Sequence, residues 1–218
     1  MNAVTPNREA QPFQPHPRYT TLAEDHVIER TRAALEKNGF EVFVVENTAE
    51  AKAKVLELIP EGSEVMTNTS KTLDEIGVSA VINQSGRYDA LRPKLMALFG
   101  DPTKKREQRK IAAAPDYALG SVHAITEAGD VVIASGSGSQ IGQYPYAAGR
   151  VIFVAGTHKI VRDMAEAHAR LREHALPLEN ERMLSAYGRN SAIKKVLTIH
   201  GDAPGRFTLI LIREHLGF

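Results

Sequence analysis

Two short polar runs carry the residue types that a negatively charged ligand needs. Thr126-Glu127-Ala128-Gly129-Asp130 reads as a hairpin turn, Val131 to Ala134 as an apolar strand, and Ser135-Gly136-Ser137-Gly138-Ser139-Gln140 as a flexible loop after it. Hydroxyls alternating with glycines leave backbone N–H groups unblocked by bulky side chains, which suits an anion if a helix begins near Gln140. The bland alternative is that these glycines only make a tight strand-to-helix crossover. The loop lacks the dinucleotide fingerprint, because the residue three places beyond Gly138 is Ile141 and the next glycine is Gly142, and it has no Walker lysine. Asn68-Thr69-Ser70-Lys71-Thr72 is a second polar junction, where a helix N-terminus either presents positive charge or is merely capped by Ser70 or Thr72. Ligands of open α/β sheets lie at the carboxyl ends of strands, so the two junctions can face one crevice.

Glu127 sits at the hairpin shoulder, where a carboxylate acts as acid, base or nucleophile if burial tunes it and is otherwise a solvated turn residue. Gly156-Thr157-His158-Lys159 follows the apolar run 151–155 and sets an imidazole and a cation at another carboxyl edge. With Lys71 or Lys159 supplying charge and Glu127 and Lys159 as the catalytic candidates, the expected ligand is a small phosphorylated or carboxylated metabolite. The 8 histidines show no metal-ligand spacing, so neither a bound metal nor a resident cofactor is expected; a nucleotide or coenzyme A would fit the anion reading.

Composition narrows the partners. With 27 Lys and Arg against 26 Asp and Glu, no global field draws the chain to nucleic acid or to an anionic membrane. The basic run Lys104-Lys105-Arg106 with Arg109 and Lys110 lacks an aromatic stacking platform and reads as a solvated helix face. There is no cysteine, hence no disulfide, thiolate nucleophile or iron–sulfur ligation by this chain. Without a long apolar run or an apolar leader, the expectation is a soluble cytoplasmic protein.

Periodicity supplies the elements that must position these residues. Residues 1–19 carry Pro6, Pro12, Pro15 and Pro17 and are expected to form a disordered or extended arm before a single domain over 20–218. Helices are predicted after the capping-box spacing of Thr21 to Glu24 and from Thr48, with strands at 40–46 and 63–68. A third helix opens at Ser70 or Thr72, a strand is predicted at 78–82, and helices at 91–99 and 104–114. Residues 117–126 and 131–135 are expected to pair antiparallel, and 195–200 with 206–213 likewise. The run Val151-Ile152-Phe153-Val154-Ala155 has the composition of a strand covered on both faces, and Ile160, Met164, Ala167 and Leu171 mark a helix ending before Pro177. This alternation predicts an α/β fold with a mostly parallel open sheet.

Several segments resemble the lactate-utilisation (LUD) domain family. They are Arg106 to Ala114, Asp116-Tyr117-Ala118-Leu119, Ala124 to Gly129, Gly149 to Val161, and the strand-loop-helix from Ser63 to Gly77. The resemblance runs from about residue 20 to the last residue. It implies the Rossmann-like open sheet shared with ribose-5-phosphate isomerase, coenzyme A transferases and 5-formyltetrahydrofolate cyclo-ligase, and a role of lactate-utilisation type. It also implies a homo-dimer or association with separate lactate-utilisation subunits. Two other readings accompany it: a non-catalytic partner subunit, and a transferase-like or isomerase-like enzyme using Glu127. The family's Glu-Thr-Gly-Thr-like turn stands here as Glu127-Ala128-Gly129-Asp130, which keeps the acid and the glycine and loses both hydroxyls.

Overall fold

Apolar strands alternating with amphipathic helices build two sheets in the computed structural model, which describes residues 13–218. The first half of the chain gives α1 (Asp25–Lys37), β1 (Glu41–Val45), α2 (Thr48–Leu58), β2 (Glu64–Thr67), α3 (Lys71–Glu75), α4 (Val78–Gln84), β3 (Asp89–Ala90), α5 (Leu91–Ala97) and α6 (Lys105–Ala113). The second half gives β4 (Tyr117–Gly120), β5 (Ala124–Thr126), β6 (Val131–Ser135), β7 (Arg150–Gly156), β8 (Ile160–Val161), α7 (Met164–Arg170), α8 (Leu176–Tyr187), β9 (Lys195–Ile199) and β10 (Phe207–Ile212). Among these, no helix is long and apolar enough to cross a membrane.

The larger sheet has the order β1-β10-β7-β4-β2-β3, and every neighbouring pair is parallel. Its central strands are almost wholly apolar because both faces are covered. Alternation along β7 and β10 sends Val151, Phe153, Leu209 and Leu211 to one face with Ile28 and Leu35 of α1. Ile152, Val154, Ile210 and Ile212 point the other way, against Val55 of α2, Leu73 of α3 and Ile82 of α4. This is the Rossmann-like open α/β sheet expected from the sequence.

The smaller sheet has the order β8-β5-β6-β9 and is mixed, β5 running parallel to β8 and antiparallel to β6. The chain leaves the large sheet at Gly120 and enters the small one at Ala124, so the single strand predicted over 117–126 is divided between two sheets. The late strands separate in the same way. β9 pairs antiparallel with β6, while β10 lies parallel between β1 and β7, because its unbroken apolar run suits the doubly covered sheet and the half-exposed β9 an edge.

Three other expectations change. Residues 78–84 are helix rather than strand: Gly77 at φ 72° ends α3, and Val78 and Ile82, one helical turn apart, bury the same face. The helix predicted to stop before Pro177 runs on, because a π-helical turn over Leu171–Ala175 joins α7 to α8 and the proline falls directly after it, where the backbone bonding is already irregular. The predicted capping box at Thr21 is not used, and α1 begins at Asp25 after Glu24. The proline-rich arm lies outside the described residues up to residue 12, and from Phe13 it leads into a short turn at Pro17–Tyr19 whose Tyr19 is buried.

The β5–β6 turn is pinned to α1. Gly129 has φ 85°, and a Cβ there would lie 2.8 Å from the Ala34 carbonyl carbon and 2.9 Å from the Leu35 nitrogen. Gly129→Ala is expected to lower the free energy of unfolding by ~2 kcal/mol or more, through left-handed strain and a backbone collision that cannot relax. Urea unfolding of the variant measures it, and a loss under ~0.5 kcal/mol would contradict this packing.

Candidate functional site

The carboxyl edge of the parallel sheet gathers a set of buried cationic side chains. After β7 a three-residue turn, Thr157–Lys159, reverses the chain and directs Lys159 inward, leaving it 2% exposed. Its Nζ donates to Thr72 Oγ1 at 3.2 Å and to Ser121 Oγ at 3.1 Å. Thr72 stands in the first turn of α3, beyond β2, and Ser121 directly follows β4, so three neighbouring strands converge on one amine. Among the described residues no carboxylate pairs with Lys159; Glu75, the acid that favours its charge, lies 3.7 Å from Lys71 and accepts the Gly217 N–H. Burial, reinforced by Arg170, holds the Lys159 ammonium well below its ordinary pKa of 10.5.

Arg170 is fully buried at the end of α7. Its Nη1 donates to the main-chain oxygens of His123 and, at 3.3 Å, Phe218, while Nε and Nη2 have no partner among the described residues. Burial pulls its pKa down to about 9. One turn on, in the π-helical segment, His174 is also fully buried and both ring nitrogens are unpartnered; the rings of Tyr19 and Phe13 pack against it at 5.6 and 6.5 Å. His158 is 2% exposed with both nitrogens unpartnered and lies 4.1 Å, centroid to centroid, from His215. Burial, followed by the nearby Lys159 and Arg170 charges, draws His123 down to about 3 and His158 lower still. Burial and then Arg170 bring His174 down to about 4.

Buried polar groups are ordinarily paired, and a buried guanidinium without a counter-charge is costly. Here one guanidinium, one amine and two imidazoles share an interior with orphaned donors. No group of three or more His, Asp or Glu side chains is placed to hold a metal ion among the described residues. The donor set therefore fits an oxyanion, which a guanidinium accepts through two parallel N–H groups.

The family model of the LUD domain matches residues 28–212. The chain belongs to the LUD domain family. Among solved structures it is similar to a DUF162 family protein from Deinococcus radiodurans, with a TM-score of 0.53 at 13% identity over 88% of this chain and 99% of that one; the likeness is one of fold. A weaker likeness, with a TM-score of 0.34 at 11% identity over 55% of this chain and 44% of the other, is to eIF2B beta from Chaetomium thermophilum. No curated protein matches. Lys159, Arg170 and His174 lie inside the matched LUD region; Phe13 to Tyr19 and Arg213 to Phe218, which close over them, lie outside it.

Within the LUD domain the predicted site residues part company. Thr72 meets Lys159, Ser70 caps α3 by accepting from the Leu73 N–H at 3.3 Å, and Lys71 stays half-exposed with its Nζ 5.4 Å above the Phe218 ring. Thr69 is exposed, and Asn68 donates to Gln143 Oε1 at 3.1 Å and the Tyr144 hydroxyl at 3.0 Å. The Ser135 to Gln140 loop turns on itself. Ser135 Oγ accepts from the Gly138 N–H, Ser137 Oγ from the Ser139 N–H, Gln140 bonds the Ala134 carbonyl, and no helix follows. Two of the loop's amides, those of Gly138 and Ser139, are thus used within the loop, and Gly136 and Gly138 face Ala192 and Lys195 beside β9. Glu127 pairs with Arg30. The β5–β8 register sets Ile160 opposite Ile125, which places Lys159 about 10 Å back along the sheet from Glu127.

Sequence reasoning passed over Ser121, His123, Arg170, His174 and His215. A signal existed for two of them: Arg170 and His174 fall at helical spacing from Ala167 and Leu171, so charge lies on the apolar stripe of that helix.

The histidines set the acid response. The unfolded chain takes up protons near pH 6.5, whereas folded His123, His158 and His174 stay neutral to much lower pH, so stability falls as pH drops below about 6.5. The expected slope is at most ~1.4 kcal/mol per pH unit for each histidine, reduced by any solvent that reaches it. Urea unfolding at pH 7 and pH 5 reads it, and equal stabilities would mean these rings are solvated. Glu127→Gln, by contrast, should cost under ~1 kcal/mol, since its partner Arg30 is 55% exposed, and a larger loss in the same assay would assign the pair a structural role.

Proposed function

We propose that this LUD-domain protein binds a small organic anion of lactate-utilisation type, a carboxylate or phosphate ester, among Arg170, Lys159, His158 and His174. The observation that carries the reading is a fully buried guanidinium whose Nε and Nη2 have no partner among the described residues. An oxyanion would take both free N–H groups of Arg170 and offset the cost of its burial. Lys159, held toward its neutral form between two hydroxyls, is the group able to accept a proton from a bound hydroxy acid or return one. Glu127, about 10 Å away by strand register and paired with Arg30, is less suited to that role.

Charge balance gives the test. A bound anion favours the ammonium form of Lys159, so binding near pH 8 should be accompanied by proton uptake, read as a buffer-dependent heat in calorimetry with phosphate, L-lactate, pyruvate and sugar phosphates. A ligand at one hundred times its Kd should stabilise the fold by ~2.7 kcal/mol. Arg170→Met removes a buried charge at similar volume, so the variant should keep or gain stability in the absence of anion and lose the ligand-induced increment. A variant destabilised by ~2 kcal/mol or more, with no anion stabilising the parent chain, would make Arg170 a structural residue and end this reading.

A further inference from the structure

We propose that His215–Phe218 is an internal strap that occupies the anion site and must leave it before a ligand enters. The idea rests on the anion-site reading for its purpose, while its geometry stands alone. Each strap residue meets a different site group. The His215 ring stacks on His158 at 4.1 Å, the Leu216 carbonyl faces Thr72 Oγ1 at 3.5 Å, and the Gly217 N–H donates to Glu75 Oε2 at 2.7 Å. The Phe218 main-chain oxygen accepts from Arg170 Nη1 at 3.3 Å, and its ring lies under Lys71. Two main-chain oxygens thus rest on donors that an oxyanion would claim.

Gly217 shows how close the strap lies to the amine. Its φ is 66°, and a Cβ there would collide with Thr72 Oγ1 and come within 3.3 Å of Lys159 Nζ. Only a bare backbone can lie across Lys159 in this way. The strap belongs to neither sheet and follows the last strand as irregular chain, His215 is exposed, and Leu216 alone is anchored in the apolar core beside Val154 and Ile212. A segment held by so few bonds opens at far lower free energy than the sheet beneath it.

Labelling with trinitrobenzenesulfonate, itself an anionic amine reagent, tests the strap when modification is mapped by peptide mass spectrometry. Two variants open it: removal of residues 217–218, which keeps the Leu216 anchor, and Gly217→Val, which cannot fit over Thr72. Both should label at Lys159 at least ~10-fold faster than the parent chain, with exposed Lys105 unchanged, since removing the cover removes the opening step. Unchanged labelling at Lys159 in both variants overturns the strap, and so does a uniform rise at every lysine, which would mean that the segment simply holds the fold together. The two proposals fail separately. Faster labelling that phosphate and pyruvate do not slow leaves the strap standing without the anion, whereas anion stabilisation of the parent chain with unchanged labelling leaves the anion without the strap.

Discussion

A buried positive charge with two nitrogens left unpartnered among the described residues organises this molecule. Arg170 is buried at the end of α7, and everything around it adjusts to that charge: the neighbouring imidazoles are held neutral, Lys159 is driven toward its free amine, and two main-chain oxygens turn toward the guanidinium. An isolated charge in a medium of low polarity is among the most expensive things a fold can contain. It lies at the carboxyl edge of a parallel sheet, the edge at which open α/β folds bind their ligands.

The scaffold makes this arrangement possible by delivering groups from separate elements. Parallel pairing of β2, β4 and β7 brings Thr72, Ser121 and Lys159 to one edge although they are far apart in sequence. The π-helical turn after Arg170 lets α7 run into α8 without breaking the chain and presents His174 one turn beyond the guanidinium. Such turns recur at functional sites because they shift the register of a helix face without ending the helix.

Much of the fold was legible because burial on two faces leaves a plain mark: the unbroken apolar run of β7 could only be a covered strand, and the alternation of strands and helices implied parallel pairing. Which strand pairs with which was not written locally. The hidden step is the exit at Gly120 and re-entry at Ala124, a three-residue gap that no periodicity marks. The glycine-serine loop stands out by composition, yet the Gly138 and Ser139 amides are taken by its own hydroxyls, a pairing that composition does not reveal. Lys159 and Thr72 were visible as strand-end residues, whereas Arg170 was hidden because a charged residue on an alanine-rich helix is ordinarily a solvated one.

The short link from Gly120 to Ala124 carries both Ser121, which holds the Lys159 amine, and His123, whose carbonyl receives Arg170 and whose Nδ1 accepts the Ala134 N–H of the smaller sheet. The site is thus a seam between two separately paired sheets, and any slip of one against the other changes the spacing of its two cations. Coupling of this kind makes the site sensitive to a change in either sheet. Substitutions deep in β6 or β9 would then be felt at Lys159 without touching it.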